Sequence, residues 1–269
     1  MTLLHIVVLA AVQGVTEFLP VSSSGHLILI PALTGWPDQT LIADTAVHVG
    51  TLAAVLVYFR REVGQVLLGM VRLLQRRPDA GSRLFGLLVA ATVPVVVAGA
   101  VLEYANLDGS LRSAEVVAWM TLVFGVVLYL ADRMYLTVRR IEQMKLGAAV
   151  LIGVAQILAL VPGTSRSGIT MTAARMLGFE RRDAARFSML LSIPAILAAG
   201  VLEGWELART DDAQLTLDAL FAAVLSFGFA LIAISALMAW LQRATFTPFA
   251  VYRVVLGAGL LVWIYGGGF

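Results

Sequence analysis

Two stretches decide how this chain folds: Gln13–His26, QGVTEFLPVSSSGH, and Gln156–Gly168, QILALVPGTSRSG. Each gathers Gly, Pro, Ser and ionisable groups inside sequence that is otherwise lipid-soluble. Gln13 and Glu17 stand four apart, so on a helix they share one face. Offset by 143 positions, the stretches align Gln13 with Gln156, Ser22 with Ser165, Ser24 with Ser167 and Gly25 with Gly168. The matched residues are polar or Gly in a chain made mostly of Ala, Val and Leu. The unmatched ones carry the chemistry: Glu17 and His26 in the first copy, Arg166 in the second. The pattern predicts two half-sites that meet, with these three groups converging.

Outward from these stretches, composition sets the class. Of 269 residues, 60% are hydrophobic and 13% charged, and the mean hydropathy is +0.91. Soluble domains carry about a quarter charged residues, and here too few charges exist to build a polar exterior. The chain reads as an all-α integral membrane protein. It has no cysteine, which excludes disulfides, thiolate catalysis and Cys-ligated metals. A net charge of +2 without a basic run gives no reason to expect nucleic acid. The N-terminus lacks a basic leader, and Glu17 and Pro20 interrupt it, so it reads as an uncleaved first membrane segment.

Residues 2–19 and about 26–35 are apolar pieces on either side of the first turn. A helix needs about 20 residues to cross the hydrocarbon, so neither piece suffices alone. Irregular backbone at membrane depth survives only when buried in protein or lining a wet cavity. A re-entrant helical hairpin satisfies both constraints. The second stretch predicts another, from about 147–161 through the PGTSRSG turn to Leu177. Full spans are expected at about 41–60, 84–103 and 114–134, then at 184–204, 217–241 and 250–267. By the positive-inside rule, links 60–83 and 133–146, the segment GFERRDAAR (178–186) and the link with Arg243 are cytoplasmic. Link 104–113 and the acidic link with Glu206, Asp211 and Asp212 then lie outside, as do both termini. An odd number of spans separates the hairpins, so the halves are inverted and their tips meet near the midplane. The expectation is one membrane domain, 1–269, with repeat one about 1–140 and repeat two about 145–269.

An ionisable residue inside a membrane segment costs about 2.5–3.5 kcal/mol on insertion scales, which marks Glu17 as functional. Arg166 stays charged at any relevant pH and needs an anion, either Glu17 or a ligand. Around it Gly163 and Gly168 free the backbone, while Thr164, Ser165 and Ser167 supply hydroxyls. With the amides of the following helix, this makes a phosphate cradle, and the guanidinium fork grips two phosphate oxygens at once. His26 follows the serine turn, where imidazole suits nucleophilic or acid/base work. His48, one turn after Asp44, reads as structural, and His5 carries no signal. Glu17 and the Gln13 amide suit a hard cation, Mg²⁺ or Ca²⁺, if a phosphorylated substrate supplies further oxygens.

At these residues the chain resembles the undecaprenyl-diphosphate phosphatase (bacitracin resistance) family. One signature, (Glu/Gln)-x-x-x-Glu, is Gln13–Glu17, running on into Pro20–His26. The other, Pro-Gly-x-Ser-Arg-x-Gly, is Pro162–Gly168. The resemblance implies hydrolysis of undecaprenyl diphosphate to undecaprenyl phosphate in the bacterial inner membrane, with a divalent cation and a site facing the periplasm. It gives Glu17 and Gln13 the metal and diphosphate, and Arg166 the phosphate, with Ser165, Ser167 and Thr170 around it. His26 and Ser23 are its candidates for nucleophile or acid/base, a positioned water being the alternative. Ser22 and Ser24, with Gly163 and Thr164, are expected to touch substrate. Gln13 stands where many members have Glu, which leaves one carboxylate fewer. The partners implied are a polyprenyl diphosphate and bilayer lipid, and a homodimer is compatible with the sequence. The competing expectation is a transporter or flippase of an anionic lipid, since broken helices in inverted repeats also build secondary transporters. Transport needs Arg166 and gives no reason for His26 and Ser23 to be chemically intact.

Overall fold

The computed structural model describes residues 2–36, 41–105, 113–134, 138–207 and 213–267. Its helices are α1 (Leu3–Thr16), α2 (Ser23–Thr34), α3 (Leu41–Tyr58), α4 (Arg60–Leu74), α5 (Ala80–Tyr104), α6 (Ala114–Met134), α7 (Leu146–Gln156), α8 (Arg166–Met176), α9 (Arg181–Leu207), α10 (Ala213–Trp240) and α11 (Thr247–Tyr265). No strand forms among the described residues beyond an isolated bridge between Arg139 and Phe179. Ala80–Tyr104, Ala114–Met134, Leu217–Trp240 and Thr247–Tyr265 are long and apolar enough to cross a membrane. The expected all-α membrane architecture is present. Most of the link 104–113, and Asp211 and Asp212, lie outside the described residues.

The broken elements have the short legs the sequence predicts. α1 and α2 flank one turn, and α7, extended by a 3-10 segment Ile157–Leu160, and α8 flank the other. One expectation needs correction: residues 60–83 are more than a link, because Arg60–Leu74 is helical. Val63 and Val66 recur three apart and pack on the core, while Arg61 and Arg72 take the other face, an amphipathic period that charge counting hides. Asp79 then ends the link by capping α5: its Oδ1 accepts from the Ser82 amide at 2.9 Å, and its own amide donates to Ser82 Oγ at 3.2 Å.

α1 and α3 pack on α10, α7 on α5 and α11 on α6. Small residues set these distances. A Cβ on Gly153 of α7 would lie 2.3 Å from the Ala91 carbonyl of α5, and one on Gly50 of α3 would lie 2.2 Å from that of Ala223. Backbones in direct contact leave no room for a side chain, the packing device of membrane helices. Gly153→Val is therefore expected to cost at least about 1–3 kcal/mol, the overpacking range. It would be read as a lowered unfolding temperature in detergent, and an unchanged midpoint would show that α7 and α5 separate freely.

At one end of the bundle Asp132 ties several elements. Its Oδ1 accepts from Arg175 Nε at 2.9 Å and from Arg181 Nε at 2.7 Å, and its Oδ2 accepts from the Phe246 amide at 3.0 Å. The ends of α6 and α8 and the starts of α9 and α11 thus share one fully buried carboxylate. At the same end Arg186 pairs with Glu62 and Glu142, each at 3.2 Å, and Arg83 donates to the Met144 carbonyl. The arginine-rich links 60–83, 138–146 and 178–186 therefore lie together.

Candidate active site

Both turns are built alike. Ser22 caps α2 and Ser165 caps α8, with φ of 79° and 71°. In each, the serine Oγ accepts the amide three residues on, Gly25 at 3.3 Å and Gly168 at 3.1 Å. A non-glycine residue in this region costs on the order of 1–3 kcal/mol and persists only where its surroundings enforce it. The residues paired by the sequence alignment thus hold matching backbone conformations. Gln13 and Gln156, the other pair, are both fully buried near the ends of α1 and α7.

The turns meet. Glu17 is 7% exposed, and its Oε1 accepts from Arg166 Nη2 at 3.0 Å. Its Oε2 accepts from Gln13 Nε2 at 2.9 Å and from Ser23 Oγ at 2.7 Å. Arg166 Nη1 reaches the Ser188 carbonyl of α9 at 3.4 Å. Ser167 Oγ donates to the Leu19 carbonyl at 2.9 Å, which stitches the second turn to the first. Arg166 belongs to the first residue of α8, so the amide end of that helix also faces the junction.

A cavity of about 480 Å³ opens at this junction. Glu17, Ser23, Ser24, His48 and Arg166 form its polar end, and Val49, Leu52, Ile196 and Leu197 form an apolar wall. A charged end joined to an apolar wall suits an anionic amphiphile.

The remaining predicted residues divide. Ser22 and Ser165 also line the cavity, though each Oγ is engaged as a cap. Ser165 and Ser167 share a hydrogen bond at 3.2 Å. Thr170 sits behind Arg166, with its Oγ1 2.8 Å from the Arg166 carbonyl and 2.7 Å from Ser188 Oγ. Gly163 has φ 91°, and a Cβ there would meet the Val117 carbonyl at 2.5 Å, so only glycine fits. Thr164 is fully buried with an unpartnered hydroxyl. His26 does not line the cavity. Its Nδ1 donates to the Ser22 carbonyl at 2.6 Å, and its Nε2 accepts from the Tyr252 hydroxyl at 2.6 Å, with the rings stacked. Of the three groups expected to converge, Glu17 and Arg166 meet and His26 turns away to α11.

Sequence reading takes His48 as structural and passes over Arg253. His48 lines the cavity, its Nδ1 donating to the Asp44 carbonyl at 2.8 Å, which leaves Nε2 as the ring's free nitrogen. Arg253 is fully buried on α11 and donates to the carbonyls of Pro20 at 3.4 Å, Gly163 at 2.9 Å and Thr121 at 3.2 Å. It makes no ion pair with a carboxylate among the described residues. One cation therefore holds both turns by their backbones. A lone Arg in the apolar run TPFAVYRVVLG was the available signal.

For a divalent cation the donor set is small but apt. Gln13 Oε1 is buried without a hydrogen-bond partner, while the Nε2 of the same amide faces the Glu17 carboxylate. No cluster of three or more His, Asp or Glu that could hold a metal occurs among the described residues. Of Gln13 and Glu17, Glu17 alone lines the cavity, so a cation there would rest on one carboxylate and on oxygens that a diphosphate supplies.

Comparison with known proteins places these features. Residues 6–259 match the family model "Bacitracin resistance protein BacA". Undecaprenyl-diphosphatase of Roseobacter denitrificans is 50% identical, over 98% of this chain and 100% of its own. That of Ruegeria pomeroyi is 50% identical over 97% and 98%, and that of Maricaulis maris 51% over 98% and 99%. With matches of this extent covering both turns and every span, the chain belongs to the BacA bacitracin-resistance family.

Proposed function

We propose that the protein hydrolyses undecaprenyl diphosphate to undecaprenyl phosphate and inorganic phosphate, recycling the lipid carrier for peptidoglycan synthesis. Relatives named undecaprenyl-diphosphatase at half identity over nearly the whole chain support this. The observation that carries the chemistry is the 2.7 Å hydrogen bond from Ser23 Oγ to Glu17 Oε2 in the lining of the amphiphilic cavity. A hydroxyl donating to a carboxylate that is itself oriented by Gln13 and Arg166 is an activated-nucleophile arrangement. Glu17 takes the proton as Ser23 Oγ attacks the terminal phosphorus, and undecaprenyl phosphate leaves. Glu17 passes that proton to solvent. Water then hydrolyses the phosphoserine, giving a proton to Glu17, which returns it to Ser23 Oγ as inorganic phosphate leaves. Arg166 turns part of its fork to the phosphoryl oxygens, where charge builds. Ser24 and the helix amides of α8 add donors. His26, locked between the Ser22 carbonyl and Tyr252, fixes the turn that presents Ser23. A Mg²⁺ or Ca²⁺ on Glu17 would neutralise diphosphate charge.

The finer architecture we infer is two inverted repeats, each a re-entrant hairpin followed by three spans, within one domain. The matching caps at Ser22 and Ser165 support it, as does the parallel seating of α1 on α10 and α7 on α5. The arginine-rich end is then cytoplasmic. Cavity residue Ile196 lies about 20 Å along α9 from that end at the helical rise, which supports an opening toward the periplasm of the inner membrane.

The test is phosphate release from farnesyl diphosphate by detergent-purified protein, with Mg²⁺ and with EDTA. Metal-dependent release, and a ³²P label from the terminal phosphate that is trapped in the wild type and absent in Ser23→Ala, is expected. Release at full rate from Ser23→Ala would remove the serine mechanism. Absence of any release alongside Arg166-dependent lipid binding would favour transport, the function that paired broken helices also serve.

A further inference from the structure

Helix α4 takes no part in the site. It joins α3 to α5, and its middle rests on the first turn of α5. A Cβ on Gly69 would lie 2.2 Å from the Gly81 backbone, and Ser82 Oγ donates to the Gly69 carbonyl at 2.8 Å. α4 is thereby fixed at the level where the apolar length of α5 begins. Val63 and Val66 face the core. Leu67, Met70, Val71 and Leu74, spaced i, i+3, i+4 and i+7, carry that apolar face on past the core contact as an exposed stripe, with Leu74 81% exposed. Beside this stripe Arg60, Arg61, Arg76 and Arg77 are exposed, and none makes an ion pair among the described residues. Arg72 is engaged by Asp79, whose carboxyl is held down to about 2, chiefly by the Ser82 amide and hydroxyl.

A helix with this composition suits neither water nor the hydrocarbon. At the boundary its apolar stripe enters the acyl region and its arginines reach head groups. Four unpaired guanidiniums discriminate among head groups, because a zwitterionic lipid offers no net charge and an acidic one does. Arg139 lies at the same end and adds to that field, while Arg140 and Arg181 there are paired with Glu180 and Asp132. We propose that α4 and the segment after it dock on acidic phospholipids of the adjoining leaflet, with Leu67 and Leu74 in the acyl boundary and Arg60, Arg61, Arg76 and Arg77 on the phosphates. This rests on α4 alone and stands apart from the reaction assigned to the cavity.

The chain has no cysteine, so Leu67→Cys and Leu74→Cys can each carry a single environment-sensitive fluorophore. The labelled proteins are placed one per nanodisc, in phosphatidylcholine alone or with phosphatidylglycerol. A blue shift that grows with phosphatidylglycerol, fades in high salt and disappears in the Arg61→Gln/Arg76→Gln/Arg77→Gln background is expected. At roughly fivefold in association per charge, three removals weaken the attraction about 100-fold. Emission that ignores both phosphatidylglycerol and the arginines overturns the proposal. So does a blue shift seen only in discs holding two copies, which would mean that α4 meets a second chain. Phosphate release by the labelled variants reports that each is folded.

Discussion

Glu17→Gln is expected to slow phosphate release from farnesyl diphosphate by about 10²–10⁴-fold, the range that a positioned proton acceptor contributes. The substitution keeps shape and hydrogen-bonding reach but removes the charge that accepts the Ser23 proton and faces Arg166. Arg166→Lys is expected to lose about 10²–10³-fold, because a point charge cannot hold Glu17 and phosphoryl oxygens together as the planar fork does. Because Ser23, Glu17 and Arg166 act on one another, their losses should not add. The double variant is expected to be little worse than Glu17→Gln alone. Near-normal turnover by Glu17→Gln in detergent, with an unchanged melting profile, would mean that the proton goes elsewhere, and His48 would become the first group to examine.

The largest effect on stability is expected from Asp132→Ala. Removing one partner of a buried ion pair costs about 3–5 kcal/mol, because it strands the partner's charge. Here two arginines lose their carboxylate at once, and the Phe246 amide loses its acceptor. The expected reading is a sharply lowered unfolding temperature in detergent, or failure to accumulate in the membrane. Asp132→Asn, which keeps one neutral oxygen to accept either from the arginines or from the Phe246 amide, should fall between. A midpoint unchanged in both variants would show that the four elements meeting at Asp132 are held by packing alone.

Much of this was legible before any coordinates. Gln13, Glu17 and Arg166 stood out because polar groups in a lipid-soluble chain need a reason, and they do share one hydrogen-bonded cluster. The alignment paired Ser22 with Ser165, and the structure makes both of them helix caps of one geometry. The two histidines show where such reading stops. His26 and His48 each bond the carbonyl four residues back, so locally they are the same. Which one faces the cavity depends on what α2 and α3 pack against, and nothing local records that. The serine turn made His26 the candidate, while the position of α9 gave the place to His48. α4 failed differently. Its arginines were counted as topology signals, and the count passed over the apolar period threaded between them.

Arg253 bears on how the protein comes to be active. Its guanidinium fastens the Pro20 carbonyl, just past α1, to the Gly163 carbonyl, and α11 supplies it last among the described helices. Both turns therefore leave the ribosome well before the clasp that aligns them. A partly synthesised chain already in the membrane has the serine, the glutamate and the phosphate cradle, joined through Ser167 and Arg166 but without the cation that fastens both turns by their backbones. The site is complete only when α11 settles against α6, so an unfinished chain lacks one of the links between its two turns.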